Sequence, residues 1–248
     1  MAIESNTGLH TAMIFAAGLG TRLKPWTDHH PKALAMVNGK PLLQRNIEYL
    51  KSFGIHNIVI NVHHFADQIF DFLAQNENFG CDIIISHEKT EALETGGGLL
   101  YAAAHLENAE YFIVINADIL TDLDLNKMLL FHQQHKPLAT LAVTNRPSSR
   151  CFLFDSNAYL CGWRNNKTGE ERIAVTGKEN IPKAFSGIHI IQKEIFGLIT
   201  EGGKFSMVDV YLRLCQQHAV LGYDHSGGVL VDVGKPEAIA EAEKYFSN

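Results

Sequence analysis

Two sets of residues in this sequence have the types and spacing for phosphate chemistry: a glycine turn followed by cations, and carboxylates at the ends of apolar runs. The turn is Ala16-Ala17-Gly18-Leu19-Gly20-Thr21-Arg22, with Lys32 ten residues beyond Arg22. It follows Thr11–Phe15, an apolar run that reads as a buried strand. Glycines there allow a turn at positive φ and let a ligand approach the backbone. Successive N–H groups in such a turn make a concavity for an anion. Arg22 adds a planar fork of donors and Lys32 a point charge. No Gly-Lys-Ser/Thr closes the turn, so it is not a Walker P-loop. Leu23 stands where the dinucleotide fingerprint requires glycine or alanine, which ranks a dinucleotide-dependent oxidoreductase low. Taken alone, the turn is an ordinary tight connection with two solvated cations.

The carboxylates carry the second signal. Asn116-Ala117-Asp118 ends the apolar run Tyr111–Ile115, and Asp232 sits among the valines of Val229–Val233. Burying a carboxylate is costly unless it is paired, so a cation is a natural partner for each. The plainer alternatives are that Asp118 caps a helix or turn, as Asp122 and Asp124 are expected to do, and that Asp232 accepts N–H groups from the Gly234 turn. Glu91-Ala92-Leu93-Glu94-Thr95-Gly96-Gly97-Gly98 reads as a flexible loop or as a helix start with free N–H groups beside a flat ligand. Phe185-Ser186-Gly187-Ile188 opens another apolar run, where the glycine marks a bulge or a close approach.

Ala17-Gly18-Leu19-Gly20-Thr21-Arg22-Leu23-x-Pro25-x-Thr27, followed by Pro31-Lys32 and Gly39-Lys40-Pro41-Leu42, resembles the signature of the sugar-1-phosphate nucleotidylyltransferases. Among them the chain looks most similar to the short N-acetylmuramate-1-phosphate uridylyltransferases and the mannose-1-phosphate guanylyltransferase-like proteins. The resemblance implies an NTP (UTP or GTP) and a sugar 1-phosphate as partners, Mg²⁺ as cofactor, and release of pyrophosphate. It implies that Ala16 to Arg22, Glu91, Gly96, Gly97 and Asn116 bind the nucleotide and that Arg22 and Lys32 are catalytic. Asp118 and Asp232 would hold the metal, and Ser186 and Gly187 would contact the sugar. Where many members carry Glu-Lys-Pro, this chain has Trp163-Arg164-Asn165, so Arg164 is expected to replace the lysine beside the sugar. A carboxylate only accepts hydrogen bonds, so Glu91 would pair with the imino N–H of uracil or guanine and disfavour cytosine and adenine. A non-catalytic nucleotide-sugar binder of the same fold is the alternative.

Positioning these groups requires alternating strands and helices. Apolar runs at Thr11–Phe15, Asn57–Val62, Cys81–Ser86 and Tyr111–Ile115 alternate with helical spacing at residues 41–50, 65–74 and 97–105. That pattern predicts an α/β fold with a mostly parallel sheet, a three-layer αβα Rossmann-like arrangement. From Leu138 the runs become hairpin-like, predicting a small antiparallel insertion over the sugar side. A helix is expected over 205–218, with Phe205, Val208, Leu212 and Cys215 on one stripe, and a final helix through Tyr245. Residues 1–10 read as a loosely held tail and 11–248 as one domain.

A chain of 248 residues with 46% hydrophobic content can bury a large core. Its formal charge of −6 argues against nucleic acid or an anionic membrane as the main partner. Cys81, Cys151, Cys161 and Cys215 have no metal-ligand spacing and read as thiols in a reducing cytoplasm. No membrane-spanning run is present.

Overall fold

The computed structural model describes residues 10–247; of the expected N-terminal tail, all but His10 lies outside the described residues. Four parallel strands form one end of a ten-stranded sheet, running from the edge in the order Asp82–His87, Asn57–Val62, Thr11–Phe15 and Tyr111–Asn116. The chain starts in the Thr11 strand, adds two strands on one side, then crosses back to add Tyr111–Asn116 on the other. Such a reversal opens a crevice beyond the carboxyl ends of the two strands flanking it, where open α/β sheets bind ligands. The glycine turn leaves one of these strands and Asn116–Asp118 leaves the other.

Strand alternation sends Ala12, Ile14, Ile58, Ile60, Ile113 and Ile115 to one face of the sheet, and Met13, Val59, Phe112 and Val114 to the other. Helices Leu42–Ser52, Ala66–Gln75 and Leu125–His135 cover the first face, and Glu94–Tyr101 and Met207–Leu214 cover the second. The three expected layers result. Extended Pro41 precedes the first helix, and Gly54 at φ 78° follows it. Within that helix Asn46 is buried and donates to Leu42 O and Ala117 O, both at 3.0 Å, which fixes the turn carrying Asp118.

The antiparallel half is continuous with the parallel half. One twelve-residue strand, Ile181–Gln192, pairs with Tyr111–Asn116, with Ala139–Thr144 and with Arg150–Phe154. Leu160–Asn165 and Glu171–Ile173 extend the sheet outward, and Val220–Asp224 pairs parallel to Ala139–Thr144. Met207–Leu214 is shorter than the sequence spacing predicts. The Ser206 hydroxyl caps it by accepting from Val208 N at 3.2 Å, so the core stripe is Met207, Val210, Tyr211 and Leu214. Asp124 likewise caps Leu125–His135, as expected. Asp122 instead accepts from Val229 N at 2.8 Å.

Candidate active site

A cavity of about 460 Å³ opens beyond the carboxyl end of the Thr11 strand, walled by residues 15–22, Lys32, Asn61, Thr95, residues 116–118 and Gly234. Gly20 turns the loop at φ 62°, and a side chain there would start 2.8 Å from Lys32 Cβ. Thr27 Oγ1 donates to Gly20 O at 2.9 Å. The backbone N–H groups of Ala17, Gly18, Leu19 and Gly20 have no partner among the described residues. Free, convergent amides beside a cavity are suited to phosphate oxygens.

A short two-stranded sheet brings the distant carboxylates together. Leu230–Asp232 pairs antiparallel with Ile119–Thr121, setting Asp232 opposite Ile119, and Val233 N donates to Asp118 O at 2.8 Å. Lys32 Nζ forms an ion pair with Asp118 Oδ2. Asp232 Oδ1 is buried and has no hydrogen-bond partner among the described residues. Burial, followed by repulsion from Asp118, holds the Asp232 carboxyl above the usual carboxylate range, while Lys32, Arg22 and Arg146 oppose that shift. Gly234 leaves them room, since a Cβ there would lie 2.5 Å from Arg22 Nη2 and 2.7 Å from Asp232 Oδ1 and would displace one or both. Two carboxylates, one with an unsatisfied buried oxygen, fit a hard divalent cation. No group of three or more His, Cys, Asp or Glu suited to a metal occurs among the described residues. A cation here would therefore draw its other ligands from phosphate and water.

Four of the site residues expected from the motifs are placed differently by the fold. Glu91 is exposed and does not line the cavity; Glu94, at φ 61°, and Thr95 do, facing Lys204. Gly96 and Gly97 are buried inside Glu94–Tyr101, and both their N–H groups bond to Phe205 O, at 2.9 and 3.2 Å. Those donors are unavailable to a base. Arg164 pairs with Glu171 at 2.5 Å across the outer strands, far along the sheet from Asp118. Ser186 and Gly187 lie closer to the site, because a Cβ at Gly187 would sit 2.8 Å from Asn116 Nδ2.

Sequence reasoning missed the buried pair that supports the glycine loop. Asn61 Oδ1 accepts from Ala16 N at 2.9 Å, and Asn61 Nδ2 donates to Glu88 Oε1 at 2.6 Å. Glu88 Oε2 accepts from Leu93 N at 2.8 Å, so one carboxylate orients both walls. Among Lys89, Glu91 and Glu94, Glu88 carries no local signal of burial. In Glu88→Gln an amide N–H₂ must face one of these two donors. The expected results are a stability loss of about 1–3 kcal/mol and a several-fold weaker nucleotide affinity, read by thermal melts and nucleotide titration. Unchanged values in both would remove Glu88 from this role.

Residues 11–152 match the model of the Nucleotidyl transferase family. The chain belongs to this family. N-acetylmuramate alpha-1-phosphate uridylyltransferase of Caulobacter vibrioides is 31% identical, covering 94% of this chain and 95% of that protein. The enzyme of the same name from Neisseria meningitidis serogroup B is 33% identical, over 94% and 96%. The crystal structure of HddC from Yersinia pseudotuberculosis complexed with GMP-PN superposes with a TM-score of 0.74 at 25% identity, covering 96% of this nucleotidyl transferase and all of that chain. No helix among the described residues is long and apolar enough to cross a membrane.

Proposed function

We propose that the enzyme joins an NTP to a sugar 1-phosphate, forming an NDP-sugar and pyrophosphate, with UTP and N-acetylmuramate 1-phosphate as the favoured pair. The observation that carries the reaction is the convergence of Lys32, Asp118 and the unsatisfied Asp232 beside the open amides of Ala17–Gly20. The likeness to uridylyltransferases along nearly the whole chain favours the specific pair. GTP with mannose 1-phosphate is the second reading: the superposition on a chain complexed with GMP-PN favours the guanine nucleotide, and likeness to the mannose-1-phosphate guanylyltransferase catalytic subunit beta of Drosophila melanogaster favours the sugar.

In this reading a phosphate oxygen of the sugar phosphate forms a bond to the α-phosphorus, and the bond from that phosphorus to the β-phosphate bridging oxygen breaks. The nucleophile is already anionic, so no general base is needed, and catalysis is positioning with charge stabilisation. The Ala17–Gly20 amides and Arg22 hold the departing phosphates, and Lys32 steadies the α-phosphate. Asp118 and Asp232 would hold Mg²⁺, which supplies charge neutralisation at the reacting phosphates. Glu94 takes the base-reading role expected of Glu91, accepting from the imino N–H of uracil or guanine.

Pyrophosphate release tests this directly. Purified enzyme with Mg²⁺ is crossed with UTP, GTP, dTTP, CTP and ATP against N-acetylmuramate, mannose, glucose and N-acetylglucosamine 1-phosphates. One productive pair is expected, with UTP or GTP in it. Binding of nucleotide sugars without any turnover would support a non-catalytic binder instead.

A further inference from the structure

A second cavity, of about 260 Å³, is lined by Thr144, Asn145, Arg146, residues 226–228 and Leu230. Leu230 is two residues before Asp232 on one strand, so the two side chains share a face, and Arg146 in the cavity wall acts on the Asp232 carboxyl. Around it, Thr144 Oγ1, Arg146 Nε and His225 Nδ1 are buried without hydrogen-bond partners among the described residues, as is Asp232 Oδ1. Native proteins leave few such groups unsatisfied, and several in one place imply a polar occupant.

The wall is rigidly built. Arg146 Nη2 donates to Phe185 O at 3.1 Å, and the next residue, Ser186, bonds through Oγ to His225 Nε2 at 2.8 Å. His225 N donates to Val143 O at 3.0 Å, and Asn145 N donates to Ser226 Oγ at 2.8 Å. Lys183 Nζ ties Asn145 to Asp224, at 2.6 Å each. The neighbouring cation Lys183 is neutralised by Asp224. Arg146 has no acidic partner of that kind among the described residues, yet its charge reaches both Asp232 and His225. Burial holds His225 below the usual histidine range, leaving it neutral near pH 7 and suited to a hydroxyl or acyl oxygen.

Resting on the reaction proposed above, we infer that Arg146, Thr144 and His225 form the acceptor subsite, with Arg146 gripping the phosphate of the sugar 1-phosphate and Thr144 and His225 reading the oxygens of its ring. The positive charge thus comes from the loop after the Ala139–Thr144 strand, in place of Arg164.

Calorimetric titration of the four sugar 1-phosphates into the full chain with Mg²⁺ tests this apart from turnover. At least one is expected to bind the wild type. Arg146→Ala should weaken that binding by about ten- to a hundredfold, the range for a charge-assisted hydrogen bond, with UTP and GTP affinities within about twofold. Thr144→Val, nearly isosteric, should weaken it several-fold and serves, with Arg146→Lys, if Arg146→Ala does not fold. Sugar-phosphate binding unchanged in the folded variants, or absent from the wild type, overturns the inference. Wild-type binding that is lost in Arg146→Ala, together with no pyrophosphate release, would leave the subsite standing and remove the proposed reaction.

Discussion

Asp232→Asn is expected to abolish turnover and raise the melting temperature of the metal-free protein together. The asparagine keeps the shape of the side chain and removes a buried charge that is repelled by Asp118 and has an oxygen without a partner among the described residues. Because the folded carboxyl sits above its unfolded value, the folded state binds more protons than the unfolded state between those values. Stability from this group is therefore full below the ordinary carboxylate range and falls as pH rises to the raised folded value. At neutral pH the charge is a cost, and the amide should relieve it, raising Tm by roughly 2–4 °C in a protein of this size. The same change removes one of two anionic oxygen donors for the cation. Charge stabilisation of the reacting phosphates is worth several kcal/mol, so kcat should fall by about a hundredfold or more. Melts from pH 4 to 8, with and without Mg²⁺ and nucleotide, separate the effects: the wild type gains stability from the additions and the variant does not. Turnover within tenfold of wild type would remove Asp232 from the metal role.

What the sequence conveyed well was local. The apolar runs, the glycine turn and the acids ending two strands are each visible within about ten residues, and the parallel core follows from their alternation. What it conveyed poorly depends on partners distant in the chain. Glu88 looks like one more surface acid until Asn61 and Leu93 are folded onto it. Arg164 lies near the motif position of the family lysine, yet strand pairing commits it to Glu171. Arg146, in an ordinary polar turn, becomes significant only once Phe185, His225 and Asp232 surround it. The glycines of 96–98 were visible as glycines, but the object they approach was not.

That object is protein. Gly97→Ala is therefore expected to lower stability sharply while the glycine loop proposed to bind phosphate is left intact. An added Cβ at Gly97 would lie 2.3 Å from the backbone O of Gly203 and 2.9 Å from Leu93 Cβ. A carbonyl oxygen cannot rotate away as a side chain would, so helix Glu94–Tyr101 must shift off the Gly203–Phe205 segment that it docks against. The shift also strains the bonds from Gly96 and Gly97 N–H to Phe205 O. Overpacking of this kind costs about 1–3 kcal/mol or more, and lost or strained hydrogen bonds add to it. Alanine's better helix propensity returns only about 1 kcal/mol. A net loss of about 2 kcal/mol would lower Tm by roughly 4–8 °C. If Gly97 were instead a platform for the base, the methyl group would weaken nucleotide binding and leave Tm unchanged. Gly18→Ala supplies the opposite pattern, because a Cβ at Gly18 meets nothing within 4 Å and its backbone is not left-handed. There the methyl should leave Tm unmoved and crowd the phosphates at the free amides, raising the nucleotide KM. Melting curves and nucleotide titrations of the two variants side by side thus separate glycines that serve packing from glycines that serve the ligand.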